Sequence, residues 1–569
     1  MKSTQTIRSI LMAGALAVAP AAFSQDAIGH DGIKRVLLIS IDGMHTLDYL
    51  NCSQGIVGVN NGSPYCPNLA ALGSTGLNYL DATTSKPSDS FPGLMAIVSG
   101  GSPRTVGAFY DVAYDRSLNP PQNTTGNGVA GGPCTAGSTP SGTTTEYEEG
   151  IDLDQSKLNG GAPGATLTDG GIKSIDPTRL ERDRMCKPVY PWNFVRTNTI
   201  FGVIHQAGGY TAWADKHPAY SSVSGPGDGS NVDDYYSPEI NSTVINLPGV
   251  TTPLGMSCAN IPDPSQTGAW TDSFQNIQCY DTLKVNAILR QINGKTHLGN
   301  ASAPVPNLFG MNFQAVSVGE KLIEKNVGSG GYLDSIGTPS TYLLSEIQFV
   351  DASIGQMTNQ LKKNGLLSST LIVITAKHGQ SPIDPKKFFP IPGSSGVNGM
   401  SPANILASML PFSESPLNPA GIGPTEDDVS LIWLADSTQT AAAVAMLESN
   451  LTTAGIGEIF SGLSIGQWFN LPGLPPQGDP RTPDIVITPG FGVVYTGSSK
   501  KQAEHGGFSN DDTRVMLLLS NPALGNATNV QAPVQTAQVA PTILQVLGLD
   551  PNSLESVQKE GTKVLPGLK

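Results

Sequence analysis

Runs of unbroken apolar residues alternate along this chain with amphipathic stretches. The clearest runs are Val36-Leu37-Leu38-Ile39-Ser40-Ile41 and Thr370-Leu371-Ile372-Val373-Ile374-Thr375-Ala376. Continuous rather than alternating apolarity is what a strand covered on both faces requires, as in a largely parallel sheet. Residues 77–84, 211–214, 307–311, 484–488 and 515–520 read as further strands of that sheet. Helices are predicted over 67–72, 197–207 (closed by Gly208-Gly209), 342–363 and 536–547. Strand and helix in alternation predict the α/β class. Three segments interrupt that order, at about 119–195, 218–280 and 385–480. The first is rich in Gly, Thr and Pro and predicts a surface excursion, while the last carries its own strand and helix (429–434, 440–451) and predicts a cap.

Polar residues gather where predicted strands stop, which is where open α/β sheets bind ligands. Asp42 and His45 follow the first run, Asp215-Lys216-His217 the short strand at 211–214, and Lys377-His378 the run at 370–376. A further polar stretch, Ser88-Asp89-Ser90-Phe91-Pro92-Gly93, opens an apolar segment that ends at Gly100. Pro92 suits the first helical position, so Ser90 falls at or just before the N-cap. An alcohol there lies beside unpaired amides and the positive end of the helix dipole, a setting for attack on a phosphoryl group. The same residue could be an ordinary capping serine; the strand-end groups separate the two readings.

Composition narrows the partners. The 569 residues allow one large domain with insertions, and the 46 acidic against 32 basic side chains give a net charge of −14. That balance argues against a nucleic-acid polymer or an anionic membrane surface as partner. An anionic substrate then needs local positive charge from a metal, a lysine or a helix end. Residues 1–24 have the form of a secretory signal: Lys2 and Arg8 precede an apolar run over 10–19, with small residues at Ala22 and Ser24. The run is too short to span a bilayer comfortably, a retained N-terminal anchor being the alternative reading, and no later stretch is long and apolar enough. Export, to the periplasm or the medium, leaves 25–569 as the mature domain and puts the six cysteines in an oxidising space. The pairs nearest in sequence are Cys52/Cys66, Cys134/Cys186 and Cys258/Cys279, but six cysteines allow fifteen connectivities.

Several motifs in a fixed order carry a family resemblance. They are Ile41-Asp42-Gly43, Pro67-Asn68-Leu69, Ser90-Phe91-Pro92 with Val98-Ser99-Gly100, His378-Gly379, His505-Gly506 and Ala540-Pro541-Thr542-Ile543-Leu544. The set resembles the alkaline phosphatase superfamily, and within it the type I phosphodiesterase/nucleotide pyrophosphatase branch. The resemblance implies a three-layer sandwich around a largely parallel sheet, with loop-rich insertions. It also implies hydrolysis of a small-molecule phosphate ester, a phosphodiester above all, by a nucleophile flanked by two metal ions, usually zinc. Carried onto this chain, Ser90 is the nucleophile, Asp42 and His378 hold the neighbouring ion, and His505 helps hold the second.

Three positions depart from the family pattern. The Asp-His-Gly triplet reads Lys377-His378-Gly379. The best match to the segment bearing an aspartate and, four residues on, a histidine puts Asn312 and Val316 there; the asparagine that faces the phosphoryl group is Asp111. Valine cannot ligate a metal and an ammonium repels one, so an ordinary dinuclear site is not expected. Three readings follow. In the first, a hydrolase keeps at most one ion on Asp42, His378 and His505, with Asp111 or His217 recruited. Lys377 then replaces the lost charge, pairs with Asp111 and acts with Lys216 and Asn312 on the substrate. In the second, Lys377 is general base to Ser90 in a metal-free esterase. In the third, the fold survives as a binding protein.

Overall fold

The apolar run at the start of the chain becomes the centre of the molecule. In a computed structural model, which describes residues 28–125, 128–147, 175–240, 247, 249–258, 270–392, 400–411 and 425–568, Arg35–Ile41 pairs in parallel with Thr370–Thr375 on one side and Leu308–Phe313 on the other. Ala212–Ala214 and Asp234–Tyr236 continue the parallel array. Leu517–Ser520 and Gly76–Tyr79 add antiparallel neighbours beyond Thr370–Thr375, and Thr528–Val530 closes that edge of an eight-stranded sheet.

The strands Arg35–Ile41, Thr370–Thr375 and Leu308–Phe313 are covered on both faces, as their nearly unbroken burial shows. Val36 and Leu38 pack toward the helices Ser90–Ser99, Ile200–Gln206 and Val539–Val546. Leu37, Ile39 and Ile41 pack toward Pro67–Gly73, Phe274–Ile292 and Thr341–Lys363. The result is the expected α/β sandwich of three layers, alkaline-phosphatase-like. Because the five adjacent strands from Thr370–Thr375 to the edge strand Asp234–Tyr236 are parallel, their carboxyl ends share one rim.

A second, antiparallel sheet orders Thr425–Glu426, Ser430–Ile432, Ile485–Pro489 and Ile456–Ser461. One face packs on Phe109, Tyr110 and Phe469, and the other on Ala443 and Leu447 of the helix Thr440–Glu448. Two expectations are corrected here. The strand at 484–488 belongs to this sheet and not to the main one. The single strand expected over 77–84 is broken: Gly76–Tyr79 stays in the main sheet, while Ala82–Thr83 pairs with Val534–Gln535.

The three cysteine pairs nearest in sequence are the disulfides, Cys52–Cys66, Cys134–Cys186 and Cys258–Cys279. Among the described residues no helix is long and apolar enough to cross a membrane. The expected signal at 1–24 lies outside the described residues.

Candidate active site

Four adjacent parallel strands end at one place and deliver most of the site. Asp42 follows Arg35–Ile41, Asn312 and Gln314 stand at the end of Leu308–Phe313, Asp215 and Lys216 follow Ala212–Ala214, and Lys377 and His378 follow Thr370–Thr375. Ser90 is the first residue of the helix Ser90–Ser99; the N-cap is Asp89, so Ser90 falls just after the cap and not at or just before it as expected. Gly93 lets this helix approach: a Cβ there would lie 2.1 Å from the Lys377 carbonyl oxygen.

Ser90 Oγ is the meeting point. His378 Nε2 lies 3.1 Å away, Lys216 Nζ donates at 3.2 Å, and Asp42 Oδ2 is 3.4 Å distant. The Nδ1–H of His378 donates to the Gly379 carbonyl at 2.9 Å, which leaves the Nε2 lone pair facing the hydroxyl. Asp42 is wholly buried and takes amide donors on both oxygens, Asn312 Nδ2 at 2.7 Å and Gln314 Nε2 at 2.6 Å. Burial alone would raise its carboxyl. The charges of Lys377, His378 and Lys216 outweigh that and hold it well below the usual carboxylate range.

Lys377 is also fully buried, and its partner is Asp215 at 3.0 Å, not the expected Asp111. The ammonium lies 3.9 Å from the ring centre of Tyr220. Asp215 accepts as well from Trp213 Nε1 at 2.9 Å and from the Lys216 amide at 2.8 Å, so one carboxylate organises both lysines. Asp111 stands beside Asp89, whose Oδ2 accepts the Asp111 amide at 2.8 Å.

His505 stacks on His378 with ring centres 3.9 Å apart and turns Nδ1 toward Asp89 Oδ1 at 3.3 Å. Burial, and then the positive charge around His378, push its imidazole well below the ordinary value. His217 is bound to Glu239 at 2.9 Å, so it is not recruited to Ser90. His45 belongs to a separate buried group with Asp48 and Glu320.

A dinuclear centre does not fit these residues. Val316 lies in the apolar core, neutral amides cover Asp42, and two ammonium groups occupy the surroundings of the nucleophile. Gln314 and the Asp215–Lys377 pairing were missed from sequence. Gln314 had a signal: two residues beyond Asn312 at a strand end, it projects to the same side.

The geometry defines a class, an alkaline-phosphatase-like α/β fold with an alcohol at the strand-end rim. The sequence model of the type I phosphodiesterase/nucleotide pyrophosphatase family matches residues 36–145 and 329–398. Murine ectonucleotide pyrophosphatase/phosphodiesterase 5 is similar in structure at 14% identity, with a TM-score of 0.50, covering 91% of this chain and 96% of that one. An inactive form of the same murine protein in complex with AMP gives the same identity, coverage and TM-score. At that identity the likeness speaks to the fold. No curated protein matches the chain by sequence. Over residues 36–145 and 329–398 the chain resembles the type I phosphodiesterase/nucleotide pyrophosphatase family, and the activity class that the match supports is that of a phosphodiesterase-type hydrolase. The family is normally dependent on divalent metal.

Proposed function

We propose that this is an exported phosphodiester hydrolase in which Ser90 is the nucleophile and lysine ammonium groups stand where the family places metal. The carrying observation is the triple contact at Ser90 Oγ: His378 Nε2 at 3.1 Å, Lys216 Nζ at 3.2 Å and Asp42 Oδ2 at 3.4 Å. In this reading the Ser90 oxygen attacks phosphorus as its proton passes to His378 Nε2. The bond to the leaving oxygen breaks, that oxygen takes a proton from solvent, and a phosphoryl-serine forms; water then attacks phosphorus and loses a proton to solvent as the Ser90–phosphorus bond breaks and His378 returns its proton to Ser90 Oγ. Lys216 and Lys377 offset the charge on the phosphoryl oxygens as point charges. Asp42, 3.6 Å from His378 Nε2, stabilises the imidazolium that forms.

Residues 25–569 form one catalytic domain in this reading, with the antiparallel sheet as its cap. The three disulfides support export. A second reading, a hydrolase with a single zinc ion, is favoured by one observation: Ser90 Oγ, Asp42 Oδ2 and His378 Nε2 lie 3.1 to 3.6 Å from one another. The first is preferred because two ammonium groups already neutralise the two carboxylates there.

The test is to mix the full chain with bis(p-nitrophenyl) phosphate, quench in acid and map the modified peptide by mass spectrometry. A phosphoryl ester on Ser90, absent in Ser90→Ala together with turnover, is expected. Full turnover by Ser90→Ala ends the proposal; turnover that rises in proportion to added Zn²⁺ selects the single-ion reading.

A further inference from the structure

A second group of ligating side chains lies apart from Ser90, and neither the nucleophile chemistry nor the family motifs account for it. His45 and Asp48 come from the turn after Arg35–Ile41 and the first turn of the helix Thr46–Gln54, and Glu320 from the helix Ala315–Lys321. Tyr332 arrives from the following loop. The three titratable side chains are no more than 2% exposed.

Their ligand atoms converge. His45 Nδ1 lies 2.8 Å from Asp48 Oδ2, 3.4 Å from Glu320 Oε1 and 3.0 Å from the Tyr332 hydroxyl oxygen. That hydroxyl is also 2.7 Å from Glu320 Oε1 and 2.9 Å from Asp48 Oδ1. Among the described residues this is the group of three His, Cys, Asp or Glu side chains whose ligand atoms all lie within 4.8 Å of one another.

Two further observations point to a cation at the centre. The other ring nitrogen, His45 Nε2, is 2.9 Å from the Gln380 carbonyl oxygen and 3.0 Å from the Gln380 amide nitrogen, so the Gln380 backbone grips that edge of the ring and turns Nδ1 toward the carboxylates. Glu320 Oε2 is buried with no hydrogen-bond partner among the described residues, so their donors leave the carboxylate under-satisfied. Two buried carboxylates and one imidazole nitrogen need positive charge among them.

We propose that His45 Nδ1, Asp48, Glu320 and the Tyr332 oxygen bind one divalent transition-metal ion of the zinc or manganese type. One nitrogen with carboxylate and phenol oxygens is the donor set that such ions accept. The ion ties the turn carrying Asp42 to the segment after His378, since His45 grips Gln380 through its other nitrogen. Its role is to position, because the group does not touch Ser90.

The experiment is metal analysis of the purified full chain after saturation with Zn²⁺ and gel filtration, beside Glu320→Gln and His378→Asn. The expected result is one equivalent lost in Glu320→Gln and retained in His378→Asn. Substituting Co²⁺ should give visible absorption that Glu320→Gln abolishes and that Tyr332→Phe, which removes one oxygen, needs at least tenfold more Co²⁺ to reach. Equal metal content in wild type and Glu320→Gln overturns the proposal, as does no bound ion in either. Should Glu320→Gln not fold, an unchanged Co²⁺ titration in Tyr332→Phe overturns it equally.

Discussion

Removing the ammonium of Lys377 should unsettle the protein far more than removing it together with its partner. Lys377 Nζ and Asp215 Oδ1 are 3.0 Å apart and both side chains are fully buried. At an effective dielectric of 20 that separation corresponds to about 5.5 kcal/mol of attraction. The desolvation of both ions opposes it, so the net value of the pair is smaller, but a lone buried charge keeps the whole penalty. Lys377→Met removes the ammonium bonded to Asp215 and leaves it the Trp213 indole and the Lys216 amide as hydrogen-bond donors, and the loss should be about 3–5 kcal/mol. Asp215→Asn should cost a similar amount, because the ammonium then loses its directly bonded carboxylate and keeps only the ring of Tyr220 and the more distant charge of Asp42 among the described residues. The double variant should be less destabilised than the sum by about 2–3 kcal/mol. Urea denaturation of the four proteins at pH 7 measures this cycle, and the coupling should persist in high salt because the pair is shielded from solvent ions. A coupling below about 0.5 kcal/mol would refute the reasoning, and with it the claim that these two groups form the electrostatic centre of the site.

Other expectations follow from packing, burial and topology. Gly93→Ala brings a Cβ to within 2.1 Å of the Lys377 carbonyl oxygen; the displaced helix should cost about 1–3 kcal/mol and lower kcat, both measurable on the purified variant. Burial raises the Glu181 carboxyl to about 7, against roughly 4.3 in an unfolded chain. The native state therefore holds the proton longer, and this residue makes stability fall as pH rises from about 4.3 to 7 and level off above. Glu181→Gln should remove that fall, roughly 4 kcal/mol in all, and denaturation curves at pH 4 and pH 8 decide it. Cys134 and Cys186 close a loop with a sequence separation of 52; replacing both by Ser should cost about 4 kcal/mol by loop entropy, read as an earlier urea midpoint, and an unchanged midpoint would contradict it.

The layers of the fold were legible because each depends on local pattern. Two-faced burial writes itself into Val36–Ile41 and Thr370–Thr375 as unbroken apolarity, and the groups that follow such strands reach the rim by geometry alone. What the pattern does not encode is which sheet an apolar run joins. Residues 484–488 look like a core strand, and only their neighbours, Ser430–Ile432 and Ile456–Ser461, assign them to the second sheet. The partner of Lys377 was hidden for a related reason. Asp111 and Asp215 are equally acidic in sequence, and the crossover that sets Asp215 beside Lys377 is a property of the whole sheet. His45 could be seen after its strand, but Glu320 and Tyr332 lie about 280 residues away in sequence. At the helix start Asp89 and Ser90 are both good caps, so propensity could not choose between them.

The altered positions make one electrostatic argument. Around Ser90 stand two carboxylates, Asp42 and Asp215, and two ammonium groups, Lys216 and Lys377. A zinc ion about 4 Å from either ammonium would meet about 8 kcal/mol of repulsion at a dielectric of 20, while Val316 offers it no ligand. An ammonium carries one charge where a zinc ion carries two, and it donates protons where the ion accepts lone pairs. It can steady the phosphoryl oxygens, but it cannot bind the departing oxygen as a paired ion does in an in-line displacement. The rate should therefore depend strongly on the leaving group. Across a series of aryl phosphodiesters, log kcat/KM should fall steeply as the pKa of the phenol rises, with alkyl esters turned over far more slowly. A flat series would show that a cation holds the leaving oxygen after all, and would return a single metal ion to Asp42, Ser90 and His378.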